Sequence, residues 1–179
     1  ITENHKDQLG KIGINNYQIS NLKWMLKKNK INNAKPYVIF IPGASKSGEY
    51  KRWPTYNYGS IANYLADKNY DVYLTGSKLD DDVINEIIKI CPTAKNKIEE
   101  SKIDDFYDLC LNSSLIISND TGPAHIASHL KKKGLVLFGS HTSAKKVSIG
   151  NSNFKVLSVK NLTDLTSDAV MREVKINLN

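Results

Sequence analysis

The chain has 179 residues, 40% of them hydrophobic and 24% charged, with a formal net charge of +7. That length suits one compact domain, carries enough apolar matter for a core and excludes wholesale disorder, and no run reaches the roughly 18 apolar residues that a membrane-spanning helix requires. The basic excess suggests nucleic acid, yet only Arg52 and Arg172 among the 25 basic residues offer the planar fork suited to clamping bases or phosphates, so no nucleic-acid partner is expected.

The charge is also uneven. Residues 1 to 35 hold seven lysines against Glu3 and Asp7, whereas residues 36 to 179 hold 18 basic against 16 acidic residues. A basic segment therefore precedes a nearly neutral body. The two cysteines, Cys91 and Cys110, sit in apolar helical patterns and are expected as reduced core residues, which fits a cytoplasmic location. The chain begins at Ile1 without a basic-then-apolar leader, so no secretory signal is expected, and translation is expected to start upstream.

Residues 1 to 35 are rich in Asn and Lys and lack a sustained period, although Ile19, Leu22, Trp24, Met25 and Leu26 form an apolar knot. This stretch is predicted as a linker or connecting arm, and residues 36 to 179 as the folded domain. From Tyr37 onward short apolar runs alternate with helical periodicity: Tyr37 to Ile41, Val72 to Leu74, Leu115 to Ile117, Leu135 to Phe138 and Phe154 to Val159 read as buried strands. Tyr58, Ile61, Ala62 and Leu65 mark one helix face between them. Val83, Ile84, Ile87, Ile88 and Cys91 mark a second, which stops at Pro92. A third helix is predicted to open at Ser101, with Asp104 completing a capping box, and to bury Phe106, Leu109 and Cys110. A fourth begins near Thr121 and ends at Lys131 to Lys133, where cations favour the negative end of the helix dipole. The last follows Thr166, around Val170 and Val174.

Strands alternating with helices require right-handed crossovers, which predict an α/β fold with a doubly wound parallel sheet. Ligands bind beyond the carboxyl ends of such strands. The first of those loops runs from Pro42 to Pro54 and offers Gly43, Ser45, Ser47 and Gly48 with Lys46, Lys51 and Arg52. It reads either as an anion cradle of backbone N–H groups and lysine charge or as a solvated surface loop, and it matches neither a Walker loop nor the dinucleotide fingerprint. The loop after Leu74 offers Gly76, Ser77 and the carboxylates Asp80 to Asp82, read either as acceptors for sugar hydroxyls or as compensation for a helix N-terminus. After Ile117 come Asp120, Thr121, Gly122 and His125. A hydroxyl and glycine at a helix N-terminus suit a phosphate, and capping is the competing role. Asp-Thr-Gly also matches the half-site of aspartic proteases, but those are all-β and this chain alternates. His125 and His129 share a helix face without the glutamate and third ligand of a zinc site, so neither metal nor other cofactor is expected.

Taken together these segments resemble glycosyltransferase family 9, the ADP-heptose:lipopolysaccharide heptosyltransferases, which are inverting enzymes of the two-domain GT-B architecture. The resemblance rests on Pro42-Gly43-Ala44, Lys51-Arg52-Trp53-Pro54, Leu74-Thr75-Gly76, the run from Leu115 to Ala127 containing Ser118-Asn119-Asp120-Thr121-Gly122-Pro123-Ala124-His125, and Leu135 to Gly139. It implies a Rossmann-like C-terminal half of a GT-B glycosyltransferase that binds the nucleotide-sugar donor, commonly ADP-heptose. Lys51 then matches a lysine at the donor phosphates. Thr121 and Gly122 hold the pyrophosphate, Asp120 reaches the sugar hydroxyls, and His125 lies beside the same diphosphate. Gly43, Ala44, Ser45 or Ser47, Gly76 and Asp80 complete the implied donor site.

The family's general base lies in an N-terminal domain that also binds the lipid-linked saccharide acceptor, and this chain has no counterpart. An inverting transfer needs that base to deprotonate the acceptor hydroxyl while the donor domain stabilises the leaving nucleotide. The 179 residues are therefore expected to be the donor half of a longer enzyme, without catalysis alone. The basic arm is expected to face the other domain or the inner face of the cytoplasmic membrane. A stand-alone nucleotide-binding or carbohydrate-interaction module, or a GT-B sugar enzyme with another donor, is the alternative.

Overall fold

The computed structural model describes residues 3–17, 35–98, 103–141, 149 and 153–178. The apolar knot between Ile19 and Leu26 and the capping serine Ser101 lie outside the described residues. Strands β1 (Tyr37–Ile41), β2 (Asp71–Leu74), β3 (Lys95–Asn96), β4 (Leu115–Asn119), β5 (Gly134–Phe138) and β6 (Phe154–Ser158) form one parallel sheet in the order β3-β2-β1-β4-β5-β6. Val38 of β1 sits opposite both Val72 and Leu115, which makes β1 the strand from which the sheet is wound in each direction. The order of connection reverses between β1 and β4, and their loops diverge there to leave a crevice at the carboxyl edge.

The central strands β1, β4 and β5 are buried on both faces because helices cover both, whereas the edge strands β3 and β6 expose polar residues. Val38, Phe40, Leu74, Leu115, Ile117, Leu135 and Leu137 face α2 (Thr55–Asp67), α3 (Asp81–Ile90) and α6 (Ser167–Leu178) in one core. Tyr37, Ile39, Ile41, Ile116, Val136 and Phe138 alternate with them and face α4 (Ile103–Asn112) and α5 (Gly122–His129) in the other. The predicted helix faces are the buried ones: Tyr58, Ile61, Ala62 and Leu65 of α2 and Val170 and Val174 of α6 are fully inaccessible. Trp53 is equally buried and donates its indole N–H to the Leu165 carbonyl at 2.7 Å, tying the loop after β1 to the segment before α6. Cys91 and Cys110 are free and buried.

Three elements depart from the sequence reading. Glu3–Lys11 forms a helix, α1, inside the stretch expected to be a linker. Its apolar residues are too sparse to register as a period. Strand β3 is two exposed residues, Lys95 and Asn96, whose pairing comes from backbone groups beside β2 and leaves no apolar signature. Helix α5 ends at His129, ahead of the three lysines expected to close it. Lys131 adopts a left-handed φ of 54°, and Lys132 donates to the Leu111 carbonyl at 2.8 Å. No helix among the described residues is long and apolar enough to cross a membrane.

Candidate functional site

The crevice between β1 and β4 is built on an amide. Asn119, the last residue of β4, is fully buried, and its Nδ2 donates to the Pro42 carbonyl at 2.6 Å. Its Oδ1 accepts from the Trp53 N–H at 3.2 Å and from the Tyr58 hydroxyl at 3.0 Å. One side chain thus fixes where the loop after β1 leaves the sheet and where it enters α2. The Tyr58 hydroxyl is held protonated by its burial, so it serves this network as a donor.

A carboxylate braces the next pair of loops. Asp80 is 5% exposed, and its Oδ2 accepts from the Ser77 N–H and Ser77 Oγ, both at 2.9 Å. Its Oδ1 lies 3.4 Å from Nη2 of Arg52, which also donates to the Ala44 carbonyl at 3.3 Å. The carboxylate fits between two glycines. A Cβ on Gly43 would stand 2.3 Å from Asp80 Cγ, and one on Gly76 would stand 2.9 Å from Oδ2. Glycine is required at Gly43 by this approach of a side chain to its backbone, whatever further contact that backbone makes.

Asp120 organises the third loop. It is 8% exposed, and its Oδ2 meets Lys51 Nζ at 3.3 Å and His141 Nε2 at 3.1 Å, while His125 Nε2 lies 4.0 Å from Oδ1. Burial pulls the His125 imidazole below the ordinary value of 6.5, Asp120 acts in the opposite direction, and His129 adds to the lowering. Thr121 takes the extended backbone of an N-cap at α5, with Pro123 in the first turn. Its hydroxyl oxygen is buried and has no hydrogen-bond partner among the described residues.

These loops enclose a cleft of about 710 Å³. Its lining includes Gly43, Ala44, Ser45, Lys51, Gly76, Asp80, Asp120, Thr121 and Gly122, so residues far apart in sequence converge on one volume. Ser47 is exposed on the turn Lys46–Lys51 and does not line it, and His125 stands at its margin against Asp120. Its lining also includes the apolar side chains of Phe106, Ile126, Leu79 and Ile103, the last two exposed. Polar groups and a helix N-terminus beside apolar side chains in one cleft suit a ligand that joins an anionic group to a flat or apolar one. No group of three or more His, Cys, Asp and Glu residues converges to hold a metal among the described residues.

The profile of Glycosyltransferase family 9 (heptosyltransferase) matches residues 9–173. The chain belongs to this family. It is 33% identical over 114 residues to lipopolysaccharide heptosyltransferase 2 of Escherichia coli, covering 61% of this chain and 32% of that protein. It is 32% identical over 127 residues to lipooligosaccharide heptosyltransferase 2 of Haemophilus influenzae, covering 68% and 36% respectively. The solved structure of E. coli ADP-heptose LPS heptosyltransferase II superposes with a TM-score of 0.74 at 25% identity, covering 99% of this chain and 52% of that one. This heptosyltransferase-family chain therefore spans about a third of the length of those two relatives and about half of the solved chain. Its fold is the doubly wound, Rossmann-like unit of a GT-B glycosyltransferase.

Within that family 9 frame, Arg52 was expected only as a cation of the first loop, and Asn119, Ile103, Phe106 and His141 carried no site role in the sequence reading. Arg52 and Asn119 lie inside quoted motifs, but their work is to hold loops, which depends on contacts 28 and 77 positions away. Ile103 and Phe106 belong to α4 and show only the spacing of a core face. His141 follows β5 in a strand-end loop, and that placement was the one signal available.

Proposed function

We propose that the chain is the donor-binding, C-terminal half of an inverting heptosyltransferase of lipopolysaccharide core biosynthesis, and that its cleft holds a nucleotide sugar. One observation carries the reading: Lys51, Asp120 and the Thr121 hydroxyl, which has no partner among the described residues, converge at the N-terminus of α5 in a cleft lined also by apolar side chains. Residues 36 to 179 form the nucleotide-sugar-binding domain, and residues 1 to 35 connect it to the acceptor-binding domain. ADP-heptose is the donor favoured by family membership.

The diphosphate lies against the N–H groups opening α5, where the helix dipole favours negative charge and the Thr121 hydroxyl finds a partner. Lys51 offsets the charge that builds on the departing nucleotide as the bond to the anomeric carbon breaks. Asp120 accepts hydrogen bonds from sugar hydroxyls, and His125, whose partial burial favours the neutral imidazole, stands beside the diphosphate. Ala44, Ser45 and Gly76 shape the walls, with Asp80 holding the loops that carry them. The base that activates the acceptor hydroxyl comes from the other domain, so this chain alone binds donor and transfers nothing. The acceptor is a lipid-linked saccharide, which brings the whole enzyme to the inner face of the cytoplasmic membrane, and the basic arm suits an anionic surface.

Calorimetric titration of the chain with ADP, UDP and GDP tests this reading. ADP is expected to bind best, and Lys51→Ala to weaken it by tenfold or more, on the order of a lost charge-assisted contact. No nucleotide binding, or binding indifferent to both Lys51→Ala and Asp120→Ala, would refute it. Sugar transfer by the isolated chain would refute the division of labour.

A further inference from the structure

His141 lies outside the segments on which the family resemblance rests, yet it is held beside Asp120 by several contacts. Its side chain is 7% exposed. The ring stacks on Phe138 at 5.8 Å and 9° and takes the edge of Tyr50 at 5.5 Å. Nδ1 is buried and has no hydrogen-bond partner among the described residues, so Phe138, Tyr50 and the bond to Asp120 are what hold the ring. A carboxylate only accepts hydrogen bonds, so Nε2 carries the hydrogen that it shares with Asp120 Oδ2 at 3.1 Å.

Lys51 reaches the same oxygen at 3.3 Å. A diphosphate in the cleft competes with Asp120 for that one ammonium. Removing the cation from a buried carboxylate is costly unless another donor stays in place. Lys51 can leave, being a flexible stem with a 26% exposed side chain, whereas the clamped imidazole cannot. We infer that His141 is a positioning residue of the donor site: it retains Asp120 in place by a hydrogen bond to Oδ2 and thereby releases Lys51 to the donor diphosphate. The inference rests on the donor-site reading above. Among the described residues, the other titratable or charged groups near the ring are His125 across Asp120, and Glu49, Arg52 and Lys160, which line the adjoining cavity with it.

The test is a double-mutant cycle read by calorimetric titration with ADP. His141→Phe keeps the stacking on Phe138 and removes the donor; His141→Met, read alongside it, fills the slot by a different shape. Both are expected to weaken ADP binding by about tenfold, the worth of a hydrogen bond to a charged group. His141→Gln, whose amide nitrogen can reach the same oxygen, restores most of the affinity. In an Asp120→Asn background, where Lys51 is no longer held by a carboxylate, the donor-removing changes lose their effect. A purely structural role for His141 would weaken binding equally in both backgrounds. That result, or wild-type affinity in both donor-removing variants, would overturn the inference while Lys51→Ala still impairs binding. If Lys51→Ala and Asp120→Ala are also without effect, the donor-site reading itself has failed.

Discussion

Replacing Gly43 with alanine asks whether Asp80 is a fixed brace between the loops after β1 and β2. The new methyl would stand 2.3 Å from both Cγ and Oδ1 of Asp80, more than 1 Å inside the ~3.5 Å of ordinary contact between heavy atoms. The carboxylate cannot step aside, since Ser77 holds Oδ2 by two bonds of 2.9 Å and the backbone of Gly76 closes the far side. Relief therefore requires Asp80 to give up its turn-capping bonds, about 1 kcal/mol, together with its partly buried contact to Arg52, or the loop to accept overpacking strain of about 1–3 kcal/mol. The expected destabilisation is about 3 kcal/mol, which for a chain of this length lowers the melting temperature by roughly 6–12 °C. Thermal unfolding followed by circular dichroism measures it. The same substitution made in an Asp80→Ala chain should cost less than about 1 kcal/mol, because the colliding group is gone. An unchanged melting temperature for Gly43→Ala, or an equal loss in both backgrounds, would show that the brace is not what demands glycine there.

Asn119→Leu should cost about 3–5 kcal/mol in urea unfolding, because it leaves the Pro42 carbonyl, the Trp53 N–H and the Tyr58 hydroxyl without their buried partner. Trp53→Phe keeps most of the apolar burial and removes the 2.7 Å bond to Leu165, so a smaller loss of about 1–3 kcal/mol is expected in the same assay. Burial holds the Cys110 thiol far above its ordinary range, so at about pH 8 the native chain should not react with a thiol reagent at this position until it unfolds. Because His125 titrates below 6.5 in the folded chain, the unfolded chain binds more protons just beneath that pH, and His125 costs stability as pH falls through 6.5. Melting temperatures compared across that window should fall less steeply for His125→Asn; a steeper fall would contradict the sign.

The strands and the faces of the principal helices were legible because burial on two sides of a parallel sheet demands continuous apolar runs, and because one helix face must match a core. Val38 and Phe40 point one way and Ile39 and Ile41 the other, as alternation along a strand dictates. The carboxyl ends of those strands follow from the same pattern, so the loops that supply Lys51, Asp120 and Thr121 could be marked before any coordinates. Elements with no apolar period, α1 and β3, left no trace. What only the tertiary structure decided is which of the marked polar residues are spent on holding the loops and which face the cleft. Asp80 and Asp120 are both carboxylates at strand ends, yet one is locked between two glycines by Ser77 and Arg52, while the other shares an oxygen with Lys51 and His141. Hydrogen bonding is directional and acts between segments distant along the chain, whereas hydrophobic burial is non-directional and is written residue by residue into the sequence. The period of a strand can therefore be read locally, but the partner of a carboxylate cannot.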